Sequence, residues 1–336
     1  MPADVDARLD SPPGERESVQ RLLRLLAAAG AVLMFTVIVA SAYMRLAQAG
    51  LSCADWPTCY GRADAQAATA GMGAARLVHR IAASAVGIVL LGALLIAIAQ
   101  RPRPLRQIAI IVAALAIALF LAGLGSTLPA PSAALPASGV TLANLGGGFA
   151  LLALLWWLRL STLPTAALRT KPAALAKLAA AVALLAVVAQ IGLGALVSAK
   201  LAALACPAFP GCGAEWPPGA LFDGLDPTRK PSFGPNGEML RPAALSALQW
   251  THRVGALIVA ALGAVTVASL LPAGADARRA GAILAVLLVA QLALGAAIVL
   301  ASFPLALVMA HNACAALLLL ALISANRSLR VIGRSE

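Results

Sequence analysis

Three histidines stand in 336 residues, and each sits at the mouth of a hydrophobic run. His252 and Arg253 belong to Gln-Trp-Thr-His-Arg-Val-Gly, residues 249–255, which leads into the apolar run Val254 to Leu271. A second copy of the pattern, Leu-Val-His-Arg-Ile, places His79 and Arg80 at the head of another such run. His311 lies a few residues inside a further run, directly after Met-Ala. A neutral imidazole is a metal ligand, and an ionisable group inside a membrane segment is costly enough to be read as functional by default. The arrangement points to axial ligands for a metal cofactor held within a bilayer.

The elements that would carry these side chains follow from composition. Hydrophobic residues make up 61% and charged residues 11%, with a mean hydropathy of +0.91, which excludes an ordinary soluble globule. A helix needs about 20 apolar residues to cross roughly 30 Å of hydrocarbon. Eight stretches meet that length, near 25–47, 77–99, 107–128, 139–160, 178–198, 244–271, 280–302 and 305–325. Strand-type alternation is missing, which disfavours a barrel. The fold class is an all-α polytopic membrane protein with eight transmembrane helices.

The net charge of +12 is a topology signal. Arg8, Arg16, Arg21 and Arg24 precede the first span; Arg101, Arg103 and Arg106 follow the second. Arg159, Arg169, Lys171 and Lys177 follow the fourth, Arg278 and Arg279 the sixth, and Arg327, Arg330 and Arg334 the eighth. These segments fall on one side, which the positive-inside rule makes cytoplasmic, with both termini there. No basic patch with interleaved aromatics invites nucleic acid. The first 20 residues are polar and read as disordered, and the first apolar run reads as a retained helix and not a removed signal peptide.

The chain repeats itself. The outer loop after the first span holds Cys53 and Cys59, and the one after the fifth holds Cys206 and Cys212. Each pair encloses five residues with an aromatic-Pro step and is closely followed by Gly. His79-Arg80 and His252-Arg253 then open the second and sixth spans. Two tandem four-helix bundles related by an internal repeat follow: a cytoplasmic tail 1–24, an N-terminal half 25–160, a linker 161–177, a C-terminal half 178–325 and a tail 326–336. Aligned on the repeat, Asn144 takes the position that His311 holds in the second half. The outer loop near 199–243 is long and rich in Pro and Gly, open to reading as a cap or as a tolerated insertion.

Four of the five cysteines lie in outer loops, where an oxidising compartment permits disulfides. Pairings Cys53–Cys59 and Cys206–Cys212 are the economical choice, with a structural staple, a redox role or a metal site all open. Cys314, inside the last span, reads as a small buried apolar residue.

His252 and His311 both lie near the outer starts of inward-running spans, so they reach similar depth. Imidazoles facing one another across a bundle can take both axial positions of a heme iron, and Arg253 could neutralise a propionate. The competing reading makes each an interfacial histidine bonded to a carbonyl. His79 offers one axial nitrogen, and its partner Asn144 is not a usual iron ligand, so the sixth position there would be open.

The loop Gly-Leu-Ser-Cys-x-Asp-Trp-Pro-x-Cys-Tyr-Gly followed by a His-Arg helix resembles the heme A synthases. So do Ala-Leu-Ala-Cys-Pro-x-Phe-Pro-x-Cys, Thr-His-Arg and the Met-Ala-His start of the last helix, and the likeness spans about 25–325. The resemblance implies oxidation of a porphyrin methyl of heme O to the formyl of heme A for cytochrome oxidase, with a heme b cofactor and an external electron donor. It implies heme b on His252 and His311 with Arg253 beside it, and substrate handling at His79, Arg80 and the Asn144 position. A heme O-supplying farnesyltransferase and oxidase assembly machinery are the implied partners, in the plasma membrane of a bacterium. The chain departs from the family at Asn144, where a histidine is expected, and at Arg76, where an acidic residue is expected. Those departures motivate a rival: a non-catalytic heme-binding assembly factor or b-type cytochrome. A transporter built on a direct repeat fits poorly, because intramembrane acids and broken helices are scarce.

Overall fold

The structure is a computed structural model describing residues 13–51, 60, 71–100, 104–126, 138–163, 174–206, 208–212, 216–228, 240 and 243–330. Its helices are α1 (Pro13–Gln48), α2 (Met72–Ala99), α3 (Leu105–Ser126), α4 (Ser138–Ser161), α5 (Ala174–Ala199), α6 (Ala220–Leu225), α7 (Ala243–Leu270), α8 (Ala275–Leu300) and α9 (Leu305–Arg330). Among the described residues there is no strand, and eight helices, all but α6, are long and apolar enough to cross a membrane. Lipid-facing positions such as Ile88 (73% exposed) and Leu300 (70%) are apolar, as hydrocarbon requires.

The helices neighbour one another in chain order. In the first half α1 and α3 each pack on α2 and α4; in the second, α5 and α8 each pack on α7 and α9. The halves meet where α4 and α1 lie against α9 and where α4 lies against α5. Hydrocarbon gives helices no solvent-driven reason to associate, so close packing and polar bonds must do it. Gly263 of α7 sits so near Leu288 of α8 that a side chain there would collide. Trp156 Nε1 donates to Ser324 Oγ at 2.8 Å, and Asn326 Nδ2 donates to the Ala180 carbonyl at 2.7 Å, joining α9 to α4 and to α5. Arg24 and Arg327 donate to the carbonyls of Thr162 (2.6 Å) and Leu163 (2.8 Å), just past the last turn of α4. Cations are favoured at that pole of a helix.

The expected disorder of the first 20 residues does not hold for all of them, since α1 begins at Pro13. Proline suits a first helical turn, and the polar residues after it simply extend the spanning helix below the membrane. The α8–α9 turn is tight: Ser302 (φ 60°) and Phe303 (φ 62°) are left-handed. Phe303 N–H closes onto the Ile298 carbonyl at 2.7 Å while its ring is buried, which offsets the strain. Part of the long loop between α5 and α7 folds back onto these two helices. In it α6 packs on the start of α7, and Leu225 joins Leu196, Leu245 and Leu248 in an apolar cluster. Trp216 and Trp250 pair with ring centres 6.2 Å apart.

Candidate functional site

His252 projects from α7 toward α5, where two residues one helical turn apart receive it. Gly194 leaves room for the ring, since a Cβ there would lie 3.1 Å from His252 Cε1. Gln190, four residues earlier, sets its amide nitrogen 3.1 Å from His252 Nδ1 and donates to the His252 carbonyl at 2.7 Å. The same device serves His311 of α9. A Cβ on Gly295 of α8 would lie 3.4 Å from His311 Cε1, and Gln291 of α8 meets His311 Nε2 at 3.1 Å. The two imidazoles are within electrostatic reach of each other. His252 and His311 are therefore brought together, each backed by a glutamine and a glycine.

Three buried atoms here lack a hydrogen-bond partner: His311 Nδ1, Gln190 Oε1 and Gln291 Oε1. Orphaned polar atoms in an apolar interior cost on the order of 1–3 kcal/mol each, so a cluster of them marks a place prepared for something. Paired imidazoles with a polar group behind each ring suit an iron that takes two axial nitrogens. The residues present fit such a group.

Arg253 is held by the loop before α7. Its guanidinium donates to the carbonyls of Cys206 (2.5 Å), Ala208 (2.6 Å), Pro210 (3.1 Å) and Gly211 (2.7 Å). That loop is closed by the Cys206–Cys212 disulfide and tied again to α7 by Ser246 Oγ donating to the Ala205 carbonyl at 2.8 Å. Arg253 thus clamps the loop onto α7 beside His252. Cys314 is buried as expected, its Sγ 3.6 Å from the Leu287 carbonyl.

His79 stands apart. It lines a cleft of about 360 Å³ with Met44, Arg76 and Arg80, and Arg76 and Arg80 are exposed on α2. Asn144, on α4, does not line that cleft. Cys53 and Cys59 lie outside the described residues. Sequence reasoning missed Gln190 and Gln291, although a signal was available. Of the eight glutamines these two alone have glycine four residues on, in Gln190-Ile-Gly-Leu-Gly194 and Gln291-Leu-Ala-Leu-Gly295.

The COX15-CtaA family, described as cytochrome oxidase assembly protein, matches residues 24–323. The heme A synthase of Shewanella oneidensis is 32% identical over 316 residues, covering 88% of this chain and 93% of that protein. With a match running from the first membrane helix to the last, the chain belongs to the COX15-CtaA family of cytochrome oxidase assembly proteins.

Proposed function

We propose that the protein is a heme A synthase-type membrane oxidoreductase, converting heme O to heme A by successive hydroxylation of one porphyrin methyl group for cytochrome c oxidase assembly. The observation that carries the proposal is the His252–His311 pair with its matched glutamine and glycine backing, in a chain of this family.

In this reading His252 and His311 hold a heme b between α7 and α9. Bound there, heme b would supply one-electron redox chemistry. The chain's part is to keep both rings aimed, to surround them with apolar helix and so exclude water, and to fix that end with the Arg253 clamp. The first half handles substrate: His79 presents a nitrogen to a heme iron, while Arg76 and Arg80 present guanidiniums suited to carboxylates. The two halves are taken as bundles related by the repeat, lying in a bacterial plasma membrane with both termini cytoplasmic and electrons arriving from an external donor.

The test has two arms. Purified protein is assayed by optical and pyridine-hemochrome spectra, and cells lacking the gene are assayed for heme A. Bound heme b and loss of heme A support the reading; protein without heme and normal heme A in the cells overturn it. A variant carrying Asn144→His and Arg76→Glu addresses the non-catalytic rival. Activity in the natural chain supports the enzyme, and activity only in the doubly substituted chain supports the rival.

A further inference from the structure

We infer that Gln190 and Gln291 are the positioning residues of the iron-ligand pair, each offering its side-chain oxygen to the N–H of its histidine when the other ring nitrogen is on iron. This rests on the heme reading of His252 and His311 and adds what controls them.

The structure supplies four independent reasons. Each glutamine already touches a ring nitrogen of its histidine at 3.1 Å. Each Oε1 is buried and without a partner, an acceptor with no donor. Each glutamine sits one helical turn before a glycine that makes room for the same ring. Gly255, three residues after His252, is matched to Gln190 as well, because a Cβ at that position would run into Gln190 Oε1.

The chemistry follows from the tautomers of a ligated imidazole. One nitrogen on iron leaves the other as an N–H donor, and metal-bound histidines nearly always give that proton to an acceptor. At His252 the bond falls on Nδ1, so an amide shift that gives up the bond to the His252 carbonyl and brings Oε1 onto Nδ1–H leaves Nε2 for iron. At His311 the glutamine meets Nε2, and Nδ1 is the buried orphan. There the Gln291 oxygen on Nε2–H leaves Nδ1 for iron, so the two sites use opposite ring nitrogens. An acceptor on the N–H increases the electron donation of the imidazole, which favours ferric iron and lowers the reduction potential. Spans one and three carry no glutamine-to-glycine step of this spacing, so the first-half histidine lacks the device.

The experiment uses the full chain purified with its heme. Gln190→Leu and Gln291→Leu should each raise the midpoint potential and weaken heme retention by about 10- to 100-fold, the usual effect of losing such a neighbour. Gln190→Glu and Gln291→Glu should restore retention and lower the potential below that of the natural protein. Gly255→Ala, which leaves Gln190 in the chain but displaces its amide, should reproduce Gln190→Leu. Natural protein with a bis-imidazole low-spin signal whose potential ignores all five substitutions overturns this inference alone. Glutamate variants that behave like the leucine variants do the same, since they leave only a packing role. Natural protein with no low-spin heme overturns the ligand reading and this inference with it.

Discussion

The guanidinium of Arg253 donates to the backbone carbonyl of Cys206, so the residue beside one candidate iron ligand is bonded directly to the first residue of the disulfide loop. One side chain thereby couples the loop, the outer end of α7 and the ligand position.

Arg253→Ala should cost at least about 1.5 kcal/mol, the lower end for one hydrogen bond to a charged group, because four carbonyls lose their donor. Arg253→Lys should recover only part, since an ammonium lacks the planar fork that spans several acceptors. Thermal unfolding in detergent measures both. Labelling of Cys206 and Cys212 after mild reduction should quicken in the alanine variant, and unchanged labelling would argue against the clamp.

His252→Ala and His311→Ala should each abolish the low-spin heme spectrum, whereas His79→Ala should leave it largely intact. The structure pairs the first two and puts the third in a separate cleft with Met44, Arg76 and Arg80. Equal loss from all three would contradict that asymmetry.

Gly194→Ala should lower heme occupancy more than Gly295→Ala. The added methyl would stand 3.1 Å from His252 Cε1 in the first case and 3.4 Å from His311 Cε1 in the second. The first spacing forces the ring to move and the second is nearly an ordinary contact. Hemochrome assays on the two variants compare them, and a reversed order would count against the cradle.

The bond from Trp156 to Ser324 ties α4 to α9 across the two halves. Trp156→Phe and Ser324→Ala should each destabilise the protein, and a double-mutant cycle should return a coupling of about 1 kcal/mol. A coupling of zero, read from unfolding in detergent, would remove this bond from the forces that dock the halves.

Much of this was legible in the chain. Eight runs of apolar residues could not be anything but spanning helices, because length against hydrocarbon thickness decides the matter. The nearness of His252 and His311 was legible as well, since both residues stand near the starts of spans that run in the same direction. The start of α1 was not, because the polar residues after Pro13 look like tail until the helix they extend is seen. The clamp made by Arg253 was not, because its acceptors, among them the carbonyls of Cys206 and Gly211, gather only when the loop folds back over α7. The glutamines escaped notice for a simpler reason: an amide in an apolar run reads as an isolated blemish until its glycine, one turn on, is read with it.

The central claim is that two imidazoles, from α7 and α9, hold one heme iron. Electron paramagnetic resonance of the purified ferric protein, beside its pyridine-hemochrome spectrum, tests it most directly. The account predicts heme b with a low-spin bis-imidazole signal that disappears in His252→Ala and in His311→Ala. A heme that stays low-spin in either variant would contradict it.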